Sequence, residues 1–394
     1  MNVHTLASDF RASFSQEAER YFFSPGRVNL IGEHSGYIGE HVLSCPITIG
    51  TYGAVCKRND RLVRLFSKNY SEQGIIEFSL NELGYLPSHG WANYPKGLLH
   101  FLQEKGTVLN EGFDLFISGN IPHGVGLSSS TSLLILVGEM ISKLYNLYIS
   151  RTNLIQICNT VESSFIGING ILMDFFPAAV GKTNHGILLD CHTLNYDYIP
   201  LNLQHYNMVL MNTNTRNELS DSICNERRNE CEHALRHFQG ALNILSLEDL
   251  NPEQFENFKY LITNVAHKKR ARHIVSEKER SMVAVKELKR GNLEAFGSLM
   301  NQSHQSLRDD YEVSGVELDT LVEAARLQPG VLGAKMIGSG FGGCAVALVD
   351  RNEINQFIEN VGEIYKVRLG YPASFYVASI GDGVKELSIR SNEE

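Results

Sequence analysis

The sequence predicts an α+β protein built in two lobes. Three observations carry that reading. Strand-like and helix-like segments are interleaved without a regular βα repeat. The 394 residues are too many for one ordinary core. A break near 180–205 separates two halves, placing the domains at 1–190 and 191–394.

The elements follow in order. Residues 48–58 and 112–118 read as strands; in the second, Phe113, Leu115 and Ile117 recur at every second position. Residues 131–148 predict a helix, apolar nearly all round its start and therefore buried. Residues 186–191 and 207–212 are short apolar strands. Residues 219–245 are helical and charged, and helices dominate from 281 to 327. The last stretch reads strand (331–337), glycine loop, strand (344–349), helix (353–367), strand (374–380).

Composition is that of a soluble globular chain, with 43% hydrophobic and 20% charged residues. No segment approaches the roughly 18 uncharged apolar residues of a membrane span. Met1-Asn2-Val3-His4 begins no basic region followed by an apolar core, so no secretory signal is expected. The formal net charge of −9 argues against nucleic acid and anionic membranes as main partners. Seven cysteines, at 45, 56, 158, 191, 224, 231 and 344, are odd in number and widely spaced. They read as reduced thiols of a cytoplasmic protein rather than a disulfide framework.

Three glycine-bearing motifs carry the chemistry. The first is Ser24-Pro25-Gly26-Arg27-Val28-Asn29-Leu30-Ile31-Gly32-Glu33-His34, with an arginine and a carboxylate. The second is Pro122-His123-Gly124-Val125-Gly126-Leu127-Ser128-Ser129-Ser130. The third is Gly338-Ser339-Gly340-Phe341-Gly342-Gly343. Gly124 and Gly126 let the backbone turn tightly and approach a ligand. Ser128, Ser129 and Ser130 then lead into the helix at about residue 131. Its first amides lack internal partners and its dipole favours negative charge, so a phosphate docks there. A serine hydroxyl at that place can also reach a magnesium ion. Alone, the segment reads more readily as a glycine turn with a serine N-cap. Together the motifs point to an enzyme that holds ATP and delivers its terminal phosphate to a small polar acceptor.

Three better-known patterns are rejected. Gly181-Lys182-Thr183 ends like a P-loop, but position 176, where that motif needs glycine, is phenylalanine. Gly338-x-Gly340-x-x-Gly343 spells the dinucleotide fingerprint, but a strand-like run follows where a helix is required. Cys224, Cys231, His233 and His237 have metal-ligand chemistry. On one helix, Cys231 and His233 point roughly 200° apart, so the four cannot converge.

In order and almost over its whole length, the chain resembles the GHMP small-molecule kinases, and within them the galactokinase family. Ser24 to His34 is similar to the family's sugar signature, Pro122 to Ser132 to its ATP loop, and Met336 to Cys344 to its third motif. The stretches 91–97, 212–214, 225–228 and 371–376 add to the likeness. The resemblance implies a two-lobed fold, a ribosomal-S5-like N-terminal lobe and a ferredoxin-like C-terminal lobe, with ATP and sugar between them. It implies that Asp174 is the catalytic aspartate and Arg27 the arginine beside it. It implies that Ser130 and Glu162 hold magnesium, and that Glu33 and His34 belong to the sugar site. An arginine there stabilises the charge that shifts during transfer and keeps the aspartate ionised. Such an aspartate orients the acceptor hydroxyl, though a base of lowered pKa is a weak one.

Departures from the family cluster on the sugar side. The family's sugar-binding aspartate falls on Gly36 and its sugar-contacting tyrosine on Cys224. The glycine whose backbone lines the sugar falls on Ile171, and a glutamine on Phe175. In the ATP loop, the usual alanine is Thr131. One hydrogen bond from a carboxylate to a sugar hydroxyl is worth about 1.5–3 kcal/mol. Ile171 and Phe175 are expected to add bulk to the pocket, and Gly36 and Cys224 to remove it. The resulting expectation is an ATP- and magnesium-dependent sugar 1-kinase. Galactose is the acceptor the resemblance implies, and a different sugar is the alternative. A non-catalytic relative that binds sugar or ATP and signals through a partner is the other class. Retention of Arg27, Glu162, Asp174 and the serine loop favours the enzyme.

Overall fold

The computed structural model describes residues 2–34, 41–122, 126–168, 171–215 and 220–388. Helix α1 (Val3–Phe14) is capped by Asn2, whose side chain accepts from the Thr5 amide at 2.8 Å. Strands β1 (Arg20–Ile31) and β2 (His41–Lys57) form a long antiparallel pair. Then come β3 (Leu62–Ser67), β4 (Ile76–Ser79), α2 (Asn93–Glu104) and β5 (Phe113–Gly119). They are followed by α3 (Ser129–Leu144), α4 (Arg151–Thr160), α5 (Phe175–Val180), and the hairpin of β6 (His185–Asp190) and β7 (Tyr196–Pro200). The remainder runs β8 (Tyr206–Asn212), α6 (Ser220–Gln239), α7 (Pro252–Phe258), α8 (Val265–Lys289), α9 (Leu293–Ser306) and α10 (Val316–Arg326). It ends with β9 (Val331–Ile337), β10 (Cys344–Asp350), α11 (Ile354–Leu369), β11 (Ser374–Ala378) and β12 (Lys385–Leu387).

Eight strands form the first sheet, in the order β12-β1-β2-β5-β3-β4, with β6 on β2 and β7 on β6. The second sheet is antiparallel, in the order β11-β8-β10-β9. Counted along its own lobe, that is fourth, first, third, second. Helices separate β8 from β9 and β10 from β11, which is the βαββαβ arrangement of a ferredoxin-like lobe.

The chain leaves the first sheet after Pro200, not at 190, because residues 196–200 pair with β6. It also returns: β12 adds to the edge of β1. The helix expected from 131 starts at Ser129, and the one expected to 245 ends at Gln239. β1 itself, which contains most of the first motif, escaped the strand reading. Every residue from Tyr21 to Ile31 is buried. A strand covered on both faces shows no polar–apolar alternation to detect.

Three apolar clusters matter for the site. One lies between the first sheet and α2–α5, around Leu115, Leu136 and Phe176. One lies in the second lobe, around Phe238, Leu321 and Tyr365. The third joins the lobes: Val28, Leu30 and Ile47 of the first sheet meet Met208, Leu210 and Val346 of the second.

Candidate active site

The site starts from an irregularity in β1. Its register on β2 slips between Pro25 and Arg27. Gly26 sits in the slip, where a Cβ would lie 2.9 Å from the Leu127 carbonyl oxygen. A bulge of this kind re-aims the next side chain. The Arg27 guanidinium, almost fully buried, donates through Nε to Asp174 Oδ1 at 2.8 Å and through Nη2 to Asp174 Oδ2. Its Nη1 donates to the Gly126 carbonyl at 2.6 Å. One arginine thus ties the first motif to the serine loop and to the carboxylate. Two-pronged, charge-assisted pairs fix geometry better than single bonds.

Asp174 closes a 3₁₀ turn, Leu172–Asp174, just before α5. Its Oδ2 accepts a second bond, from the Ser128 hydroxyl at 3.2 Å. Ser128 stands immediately before α3 in the left-handed region, with φ 59° and ψ 55°. Its hydroxyl makes no cap bond to the helix. The N-cap reading of this serine is therefore corrected: the hydroxyl serves Asp174, and the first amides of α3 stay available for an anion. A strained non-glycine backbone at such a place is a mark of a functional loop.

Gly126 and Gly338 meet from opposite lobes. Both have positive φ, 76° and 79°, and a Cβ on either would lie 3.2 Å from the other's Cα. These two glycines are needed for each other as much as for a ligand. A cavity of about 550 Å³ opens beside them. Arg27, Asn29, Glu33, Asp174 and residues 126–130 line it from the first lobe. Cys224, Asn225 and Arg228 of α6, with Gly338 and Ser339, line it from the second. A smaller cavity of about 150 Å³ shares Ser129 and Ser130 with it and is walled by Tyr70, Trp91 and Tyr94. Trp91 Nε1 is buried and has no hydrogen-bond partner among the described residues.

Glu162 lies in a π-helical turn, Val161–Ile166, and is buried within hydrogen-bond reach of Ser130. Burial, aided by the nearby charge of Asp174, pushes its carboxyl up to about 7 against the Ser130 hydrogen bond. Its Oε1 is buried without a partner among the described residues. A buried, under-satisfied carboxylate next to a helix-start hydroxyl fits a divalent cation.

Glu33 lines the cavity and is 3% exposed. His34 does not line it. It packs behind Glu33 against Tyr311, ring centroids 5.1 Å apart, and burial holds its imidazole down at about 3. Ile171 and Cys224 do line the cavity, and the Cys224 thiol lies 3.6 Å from the Ser339 carbonyl oxygen. Phe175 does not. It is fully buried in the first-lobe core, so the expectation that it adds bulk to the pocket is corrected. It begins α5 and turns inward while Asp174 faces the cavity. Gly36, Gly124 and Val125 lie outside the described residues. The sequence reading missed Asn29, Ser128 as a donor to Asp174, and Arg228. It also missed Lys335, which stands one residue before the third motif as read and pairs with Glu33.

Comparison with known proteins gives the same picture. The model of the GHMP kinases N-terminal domain matches residues 93–182, and that of the GHMP kinases C terminus matches 284–367. The galactokinase galactose-binding signature matches residues 8–57. The fold is that of a two-lobed GHMP small-molecule kinase. A galactokinase of Clostridium perfringens is 51% identical over 387 residues, covering 98% of this chain and all of the relative. One of Lactiplantibacillus plantarum is 49% identical over the same length and coverage. The structure of Lactococcus lactis galactokinase complexed with galactose superposes with a TM-score of 0.91 at 45% identity, covering 98% of this chain and 100% of that one. The chain belongs to the galactokinase family.

Proposed function

We propose that this protein transfers the terminal phosphate of ATP to the anomeric hydroxyl of galactose. The observation that carries the proposal is the Arg27–Asp174 unit, set where the serine loop, Glu33 and the second-lobe glycine loop border one cavity. Phosphoryl transfer is mostly positioning and charge neutralisation, and each named group has such a task.

The free amides at the start of α3 take phosphate oxygens. The aromatic cavity at Trp91 and Tyr94 suits the adenine ring. Ser130 and Glu162 would hold the magnesium ion, which when bound neutralises phosphate charge. Glu33 accepts from a sugar hydroxyl.

Asp174 positions the acceptor. A carboxylate offers about four lone-pair sites. Oδ2 spends its two on Arg27 and Ser128, whereas Oδ1 accepts from Arg27 alone. Oδ1 is therefore the atom left to accept from the reacting hydroxyl. Held in place by Arg27 and Ser128, it orients the nucleophile and can take the proton late, as a loose transition state permits.

Ile171 and Cys224 in the cavity wall favour one second reading, a hexose other than galactose. The test is a panel of hexoses with ATP, read by ADP release and by phosphorus NMR of the product. Galactose 1-phosphate is the expected product. Phosphorylation of another hexose with none on galactose would replace the substrate and keep the chemistry.

A further inference from the structure

Lys335 is buried completely, on β9, two residues before the strand ends at the glycine loop. Burying an ammonium is costly unless it is paired and hydrogen-bonded. Its Nζ lies 3.4 Å from Glu33 Oε2 and 3.5 Å from the Asn29 carbonyl oxygen. Asn29 Nδ2 donates to Glu33 Oε1 at 3.1 Å. Each Glu33 oxygen thus spends one lone pair inside the protein and keeps one for a ligand in the cavity it lines.

We infer that Lys335 is a positioning residue for the acceptor sugar: from the second lobe it holds Glu33 as a hydrogen-bond acceptor facing the cavity. The inference rests on the kinase reading above. β9 also leads straight to Gly338, which abuts Gly126. One strand therefore registers the sugar-side carboxylate and the phosphate-side loop against each other.

The surroundings show what Lys335 prevents. Arg27 and Asn29 of β1, Asp174 and Lys335 act on the Glu33 carboxyl, and His273 of α8 reaches its backbone carbonyl at 3.3 Å. Cys224 and Arg228 of α6 border the same cavity. Burial pushes the Glu33 carboxyl up, with Asp174 adding to the rise. Lys335 is the largest opposing influence, followed by Arg27 and Asn29. Removing Lys335 takes away the largest influence opposing that rise, which favours the protonated form of Glu33, a donor where the sugar needs an acceptor.

The test is steady-state kinetics on the full chain from pH 6 to 9, for the parent, Lys335→Met, Lys335→Arg and Glu33→Gln. In Lys335→Met the sugar KM should rise about 10- to 100-fold at the acid end of this range, the range for one charge-assisted hydrogen bond, with ATP KM within about twofold. The deficit should shrink as pH rises, because Glu33 regains its charge. Lys335→Arg should restore most of the loss. Glu33→Gln should raise the sugar KM equally at every pH. Equal damage to kcat and both KM values at all pH, without alkaline recovery, would show a merely structural lysine and overturn the inference. So would an unchanged sugar KM. If Lys335→Met does not fold, Glu33→Gln decides: an unchanged sugar KM in that variant overturns the inference too. Failure of the substrate reading shows separately, as absent galactose turnover by the parent, and the series is then run on the hexose the parent phosphorylates.

Discussion

Asp174 has almost no freedom in this structure, and that sets what its replacement should do. Asp174→Asn keeps the shape but places an amide against the Arg27 guanidinium, so the pair loses its charge and the nucleophile its acceptor. Turnover should fall by at least about 10³-fold while Mg-ATP affinity stays within a few fold. Calorimetric titration beside a product assay separates the two, and near-parental turnover would remove Asp174 from the mechanism. Cys224 belongs to the same scale. Its thiol reaches the Ser339 carbonyl oxygen from the cavity wall. If positions 36 and 224 select the acceptor, Gly36→Asp with Cys224→Tyr should change the galactose KM by about tenfold or more. The change should be downward if galactose is the substrate and its pocket is merely underfilled. An unchanged KM would mean that these positions do not govern acceptor choice.

Among the elements, the meeting of Gly126 and Gly338 is the most exposed to test. A valine at either place must adopt positive φ and must also push a backbone 3.2 Å away. Gly126→Val and Gly338→Val should each weaken Mg-ATP binding by about ten-fold or more, and to similar extents, although only the first lies in the serine loop. Calorimetry on the folded variants checks this; a Gly338→Val that binds Mg-ATP normally would separate the two loops. The sequence showed that both loops exist, because glycine runs between apolar segments are local signals. It did not show that they touch, because contact between residues 126 and 338 is a product of the whole fold. The same division holds elsewhere. Arg27, Asp174 and Glu162 were legible through motifs, and β9, β10 and α11 as short segments set off by the third glycine loop. β1 was not, since burial on both faces removed its alternation. Phe175 was misplaced, since a motif gives a position but not which way the chain turns after a 3₁₀ turn.

Across the whole molecule, the polar groups behind Glu33 form a seam with a definite response to acid. His273 Nδ1 lies 2.9 Å from the Ser306 hydroxyl and Nε2 lies 3.3 Å from the Glu33 carbonyl oxygen, so both ring nitrogens are engaged in the neutral form. Burial holds His273 down at about 4 and His34 at about 3, well below an ordinary histidine. The unfolded chain therefore binds protons first as pH falls below about 6.5, and stability should drop from there down to about 4. Glu277 adds the same sign lower down. Burial would raise it, but Arg280 and Lys335 hold it at about 2, so its contribution is present above its ordinary value and lost as pH falls towards 2. Glu162, held at about 7, and the raised Glu33 have the opposite sign and gain stability as pH falls, so in a Glu162→Gln, Glu33→Gln background melting temperatures at pH 8, 6.5 and 5 should be nearly level across the first step and lower at the last. A level profile to pH 5 would contradict the seam as described. The apolar cluster beside that seam, with Val28 and Ile47 on one side and Leu210 and Val346 on the other, has a calorimetric consequence. Chains of this length ordinarily melt domain by domain. Here neither sheet can melt without exposing apolar surface of the other. Heating should give a single endotherm whose van't Hoff and calorimetric enthalpies agree, so that the two lobes, distinct in topology, are thermodynamically one body.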